Sequence, residues 1–255
     1  MTDPGTLHYD ADGLAMAGAL FLPEQGDGPR PGVLVFPDAT GLNAHSRERA
    51  GRLATLGYVA LACDLHGGGT QLPDMERALA AVRALRETPE RTRARAAGAL
   101  AALVARPEVD ATCVAAVGFC FGGTMALELA RDGAALQAVV GFHSGLATQR
   151  PAEPGAVRAR VLACIGADDP GIPPAQRAAF EQEMTAARAD WQLHLYGGVV
   201  HSFTEPGVEL RTGHPERTRY DANADARSWA AMRQLFAETI DVAGGGAERQ
   251  TAQTG

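Results

Sequence analysis

Within the 255-residue chain, an apolar run from Val114 ends in Gly118-Phe119-Cys120-Phe121-Gly122 and passes directly into a helical pattern through Leu127. G-x-C-x-G between a strand and a helix is the pattern of a nucleophile elbow, a sharp turn that lifts one side chain above a sheet. The glycines omit the Cβ atoms that would collide in so tight a turn. At a helix start, Cys120 meets free N–H groups and the positive end of the helix dipole, which favour the nucleophilic thiolate. Such a nucleophile needs a base, and the base needs an acid to orient it. Downstream, Ile165-Gly166-Ala167-Asp168-Asp169-Pro170 closes one apolar run, and Gly197-Gly198-Val199-Val200-His201-Ser202-Phe203 follows the last. Asp169 is the expected acid, with Asp168 as the alternative, and His201 is the expected base.

Acyl transfer at Cys120 also requires donors for the developing oxyanion. The N–H of Phe121, directly after the nucleophile, is one expectation. Ala39, in the loop Pro37 to Asn43 after an earlier strand, supplies the other. Asp38 would then stand near Cys120, hydrogen-bonding the thiol or repelling its thiolate. Asp38, His143, Phe203 and Glu205 are the candidate substrate-binding residues. His8, His45, His66, His194 and His214 are expected at the surface or in packing.

Short β-rich runs alternate with longer Ala-rich helical stretches, which implies βαβ units around a mostly parallel sheet. The expected strands are Leu14 to Leu22, Gly32 to Pro37, Tyr58 to Cys63, Thr112 to Val117, Leu136 to Phe142, Arg160 to Ile165 and Gln192 to Leu195. Leu7 to Tyr9 adds an edge strand through the turn signal Asp12-Gly13. Helices are expected at Ser46 to Leu56, Asp74 to Glu87, Pro89 to Ala105, Gly122 to Arg131, Pro174 to Arg188 and Asp221 to Ile240. Runs such as Val33-Leu34-Val35-Phe36 lack alternation, the mark of strands covered on both faces. The expected organisation is one α/β domain over 1–243, without a separate lid domain, and a disordered tail over 244–255. The pocket walls should come from loops at Asp38 to Asn43, Leu65 to Leu72 and Thr204 to Tyr220.

Composition removes several chemistries. All 23 basic residues are arginine, so no lysine is available for a Schiff base or a Walker A phosphate loop. A net charge of −7, with arginines scattered through helical segments, argues against nucleic acid and anionic membranes as partners. The N-terminus carries Asp3, Asp10 and Asp12 and no apolar run, and no segment approaches the ~20 apolar residues of a membrane span, so a cytoplasmic protein is expected. Cys63, Cys113, Cys120 and Cys164 share no C-x-x-C spacing, which argues against zinc and a disulfide framework. Cys63, Cys113 and Cys164 lie in or beside apolar runs and read as small buried hydrophobes.

Together, Gly118 to Gly123, Gly166 to Pro170, Gly198 to Phe203, Phe36 to His45 and Gly57 to Leu65 resemble the dienelactone hydrolase family, the cysteine-nucleophile branch of the α/β-hydrolases. The resemblance runs from about Leu7 to Ile240. It implies an α/β-hydrolase fold, a Cys120, His201 and Asp169 triad, no metal or other cofactor, and carboxymethylenebutenolidase-like cleavage of a lactone or small activated ester or thioester through a thioester. The protein would act alone on its small-molecule substrate, as monomer or homodimer. The chain departs from the family pattern at Asp38, where Glu is usual, and at Glu205, where an Arg would hold a substrate carboxylate; Cys63-Asp64 replaces a usual Pro-Asp. An acidic Glu205 argues against a dianionic lactone. Two other readings keep the fold: a ligand-binding or redox-sensing relative in which Cys120 oxidises reversibly, or an acyltransferase to a non-water acceptor.

Overall fold

The computed structural model describes residues 4–24 and 28–241. The tail expected over 244–255 lies outside the described residues. In chain order the elements are β1 (Gly5–Ala11), β2 (Leu14–Phe21), β3 (Arg30–Phe36), α1 (Ala44–Thr55), β4 (Val59–Ala62), α2 (Met75–Glu87), α3 (Pro89–Val104) and β5 (Val109–Phe119). They continue as α4 (Phe121–Arg131), β6 (Ala138–Phe142), β7 (Arg160–Gly166), α5 (Pro174–Ala186), β8 (Trp191–Tyr196), α6 (Val208–Thr212) and α7 (Ala222–Thr239).

The strands form one eight-stranded sheet in the order β1-β2-β4-β3-β5-β6-β7-β8. From β4 to β8 every pairing is parallel, and the β1–β2 hairpin joins β4 antiparallel. Asp12 and Gly13, at φ 52° and 72°, turn that hairpin, as the Asp-Gly pair dictates.

Side chains that alternate along each inner strand feed two separate cores. Leu34, Phe36, Leu61, Val114, Ala116, Val139 and Ala163 pack with α2, α3, α4 and α5. Val33, Val35, Ala62, Val117, Val140 and Leu162 pack with α1 and α7 on the other face. Coverage on both faces is why these strands read as unbroken apolar runs. It also leaves only the loops at the strand ends open to solvent, and the chemistry-bearing residues occupy the loops at the carboxyl ends.

Most element boundaries agree with the sequence pattern to within two residues. β5 is longer, starting at Val109 rather than Thr112, and a register shift between Pro31 and Gly32 absorbs the extra residues against β3. The Thr204 to Tyr220 loop contains the unexpected helix α6, flanked by Gly207 and Gly213 at φ 78° and 69°. Its five residues are too few to show helical periodicity in sequence. Cys63, Cys113 and Cys164 are buried, and Cys120 is half-buried. No helix among the described residues is long and apolar enough to cross a membrane.

Candidate active site

Cys120 sits between β5 and α4 with φ 54° and ψ −117°, a conformation L-residues rarely adopt. Close packing holds it there: a Cβ on Gly118 would overlap the Gly122 carbonyl, and one on Gly122 would overlap the carbonyls of Phe36 and Pro37. The first turn of α4 therefore lies against the end of β3. His143 and Ser202 also have positive φ, at 41° and 57°. Each such residue stores about 1–3 kcal/mol of strain, which the surrounding packing must offset.

The loops after β7 and β8 run side by side, joined by the Asp168 N–H bond to Val199 O at 3.0 Å. Asp169 is buried, and Asp168 beside it is exposed. One Asp169 oxygen accepts the Gly171 N–H at 2.8 Å; the other lies 2.6 Å from His201 Nδ1. Burial by itself pulls the His201 pKa down. The negative charge of Cys120 and the hydrogen bonds to Asp169 and Cys120 outweigh it and push the group up to about 10. The charged ring is thus favoured, with Nδ1 tied to Asp169 and Nε2 left to face Cys120.

Ala39 and Phe121 are both buried residues. Among the described residues neither N–H donates to a protein acceptor, although buried amides are rarely left unpaired. Asp38, expected near Cys120, makes its bonds elsewhere. Its Oδ1 accepts from the Thr40 N–H at 2.8 Å and the Thr40 hydroxyl at 2.5 Å, and Oδ2 faces Arg211 at 3.5 Å, so its bonds go to Thr40 and Arg211 and not to Cys120. Arg211 Nη2 also lies 2.8 and 2.7 Å from the two Glu205 oxygens. Burial, then the neighbouring Asp38 charge, raise the Glu205 pKa against the pull of Arg211.

Phe203 and His143, expected to contact substrate, lie in the packing around His201. Phe203 is fully buried, its ring edge-on to His143 at 5.2 Å and tilted on Tyr196 at 5.5 Å, so it fills space behind the site. His143 is buried with its ring 5.1 Å from that of His201. The Cys120 N–H is shared between Phe142 O at 3.0 Å and His143 Nδ1 at 3.1 Å, and that acceptor role places the His143 proton on Nε2, 2.9 Å from the Thr204 hydroxyl. Burial, then the His201 charge, hold it neutral.

Sequence reading missed the continuation of this chain of bonds. Arg49 Nε donates to His45 Nε2 at 3.2 Å, and Arg49 Nη2 bonds Thr204 O at 2.6 Å and Asp225 at 2.9 Å. The Thr204 hydroxyl lies 2.9 Å from His143 Nε2, and His45 Nε2 lies 3.1 Å from Thr204 O and 3.4 Å from that hydroxyl. Burial, then Arg49, push the His45 pKa down to about 3, so the ring stays neutral. His45, expected to pack, does so against Phe119 at 4.6 Å, and also carries this bond. The sequence signal was the i, i+4 spacing of His45 and Arg49 on one helix face.

The segment after His201 is tied to that residue's backbone. His201 N–H donates to Arg217 O, and Arg219 N–H donates to His201 O, both at 3.1 Å.

A mostly parallel sheet with a strand-turn-helix cysteine, followed in order by an aspartate and a histidine at later strand ends, fits an α/β-hydrolase fold. The dienelactone hydrolase family matches residues 16–240, and the chain belongs to that family of hydrolases. The structure of m3DLH is similar with TM-score 0.88 and 47% identity, covering 93% of this chain and 98% of that one. P91, a dienelactone hydrolase-like promiscuous phosphotriesterase from metagenomic libraries, is similar with TM-score 0.89 and 43% identity over the same shares. A Bradyrhizobium protein provisionally named 2-oxo-3-(5-oxofuran-2-ylidene)propanoate lactonase is 31% identical over 188 residues, 70% of this chain and 75% of its own.

Proposed function

We propose that the protein hydrolyses a small lactone or activated ester through a covalent thioester on Cys120. The observation that carries this reading is the buried Asp169 carboxylate 2.6 Å from Nδ1 of a histidine whose protonation is coupled to Cys120. The thiolate attacks the substrate carbonyl carbon, forming the C–S bond, and the carbonyl oxygen takes up the charge facing the Ala39 and Phe121 amides. As the tetrahedral species collapses, the C–O bond breaks and His201 gives its proton to the departing alkoxide. His201, now neutral and held by Asp169, takes a proton from water. The hydroxide attacks the thioester, releasing the acid and restoring the thiolate and imidazolium.

The lactonase name of the Bradyrhizobium relative supports a cyclic ester as one substrate class. The name of P91 makes a phosphate triester a reasonable member of any substrate panel. The direct test is mass spectrometry of the intact protein after mixing with lactones and aryl esters. An acyl adduct on the Cys120 peptide, absent from Cys120→Ala, is expected. Full turnover by Cys120→Ala would sink the proposal. Reversible oxidation of Cys120 without hydrolysis of any panel member would favour the sensor reading.

A further inference from the structure

We propose that Asp38, Glu205 and Arg211 form a charge filter at the Cys120 site, admitting uncharged acyl substrates and turning away those that carry a carboxylate beside the reacting carbon. The inference rests on the reading of Cys120 as the nucleophile, and it names the substrate class of that site.

The three residues come from separate segments: the loop after β3, the turn after His201, and α6. Two Arg211–Glu205 contacts at 2.7 and 2.8 Å and one to Asp38 at 3.5 Å draw them together through a single guanidinium nitrogen. The carboxylates are the better buried partners, with side chains 10% and 17% exposed against 38% for Arg211. The cluster adjoins the proposed reaction centre: Asp38 immediately precedes Ala39, and Glu205 closes the turn directly after His201, its N–H donating to Ser202 O at 3.1 Å.

Two carboxylates share one guanidinium, so the cluster carries a formal charge of about −1, and its cation is already spoken for. The neighbouring Arg219 is engaged elsewhere, on the carbonyls of Pro215 and Gly198. His66, which also faces Asp38, is pushed toward neutrality mainly by burial. An incoming carboxylate would therefore meet net negative charge in a partly desolvated place, where salt screens poorly. An uncharged lactone or ester avoids that cost. Neutralising Glu205 would leave Arg211 balanced against Asp38 alone and lift the exclusion.

Alkylation of Cys120 by iodoacetamide and iodoacetate tests this without requiring hydrolysis. The reagents are nearly the same size and differ in charge. In each, the thiolate attacks the methylene carbon, the S–C bond forms, the C–I bond breaks and iodide leaves. The His201 imidazolium favours the anionic reagent in every variant, so the readout is the change in rate ratio, iodoacetamide over iodoacetate, measured on the Cys120 peptide. Glu205→Gln is expected to lower the ratio about five- to tenfold, and Arg211→Gln to raise it by a similar factor, as expected for one charge added or removed nearby. The same ordering is expected in kcat/KM for a neutral 4-nitrophenyl ester against 4-nitrophenyl hemisuccinate. A Glu205→Gln ratio within twofold of wild type, in protein with an unchanged circular dichroism spectrum, overturns the filter. The two proposals fail separately: hydrolysis that survives in Cys120→Ala removes the thioester reading, while the alkylation ratio still reports the charge at the thiol.

Discussion

Asp64 and Asp169 occupy matching places, each in the loop directly beyond a parallel strand, and both are buried. Their partners set them apart. Both Asp64 oxygens are filled by backbone amides: His66 and Gly67 on Oδ1 at 3.0 Å, and Ala17 and Gly69 on Oδ2 at 3.0 and 2.6 Å. Asp169 takes one amide, from Gly171, and gives its second oxygen to His201. A carboxylate saturated by fixed amides ties a loop to a neighbouring strand; one that keeps an oxygen for a titratable ring can steer a proton.

The largest expected effect tests this contrast directly. Asp169→Asn should lower kcat by about 10³- to 10⁴-fold through a misoriented His201, with the fold retained. Steady-state kinetics beside far-ultraviolet circular dichroism would show it. Asp64→Asn should do the reverse. Its amide would point N–H groups at amide donors, costing about 2–4 kcal/mol in urea denaturation with kcat close to wild type. If Asp64→Asn lost activity at undiminished stability, the distinction between the two aspartates would collapse.

Thr204→Val is expected to have a smaller effect. It leaves the His143 Nε2–H without its acceptor inside the protein, at about 1–3 kcal/mol in stability, and lowers kcat severalfold by loosening the bond from His143 to the Cys120 amide. A wild-type kcat at that reduced stability would mean the chain of bonds supports the fold only.

A pH titration sharpens the reading of His201. A pKa raised from 6.5 to about 10 means that the charged ring is favoured, so it should persist through neutral pH and release its proton only as the pH rises toward 10. Cys120→Ser removes the strongest raising influence and leaves burial to pull the group down. In imidazole nitrogen NMR, His201 of this variant should lose its proton at a clearly lower pH than wild type. An unmoved titration would show that Asp169 alone holds the charge.

Much of the fold was legible because the signals are local. Unbroken apolar runs such as Val33 to Phe36 gave the parallel strands, Asp12-Gly13 gave the hairpin, and G-x-C-x-G marked the elbow. Asp169 and His201 were legible as types at strand ends in the right chain order. The partners of Asp38 and Phe203 were not legible, because Arg211 for one and His143 and Tyr196 for the other come from elsewhere in the chain. The chain of contacts from Cys120 through His143, Thr204 and His45 to Arg49 and Asp225 joins five separate stretches of sequence, and no window along the chain contains it.

The sequence by itself therefore determined which chemistry is possible: a thiol on a strained turn, an acid, a histidine, and arginine as the sole fixed cation. Tertiary structure decided how those charges are distributed. It saturated Asp64, left Asp169 an oxygen for His201, and committed Arg211 to Glu205 and Asp38. The physical reason is range. Backbone turns and strand faces follow from residues a few positions apart, whereas a carboxylate's role follows from the groups within about 3 Å of it, and the deciding ones here, Ala17 on Asp64 and His201 on Asp169, come from distant parts of the chain.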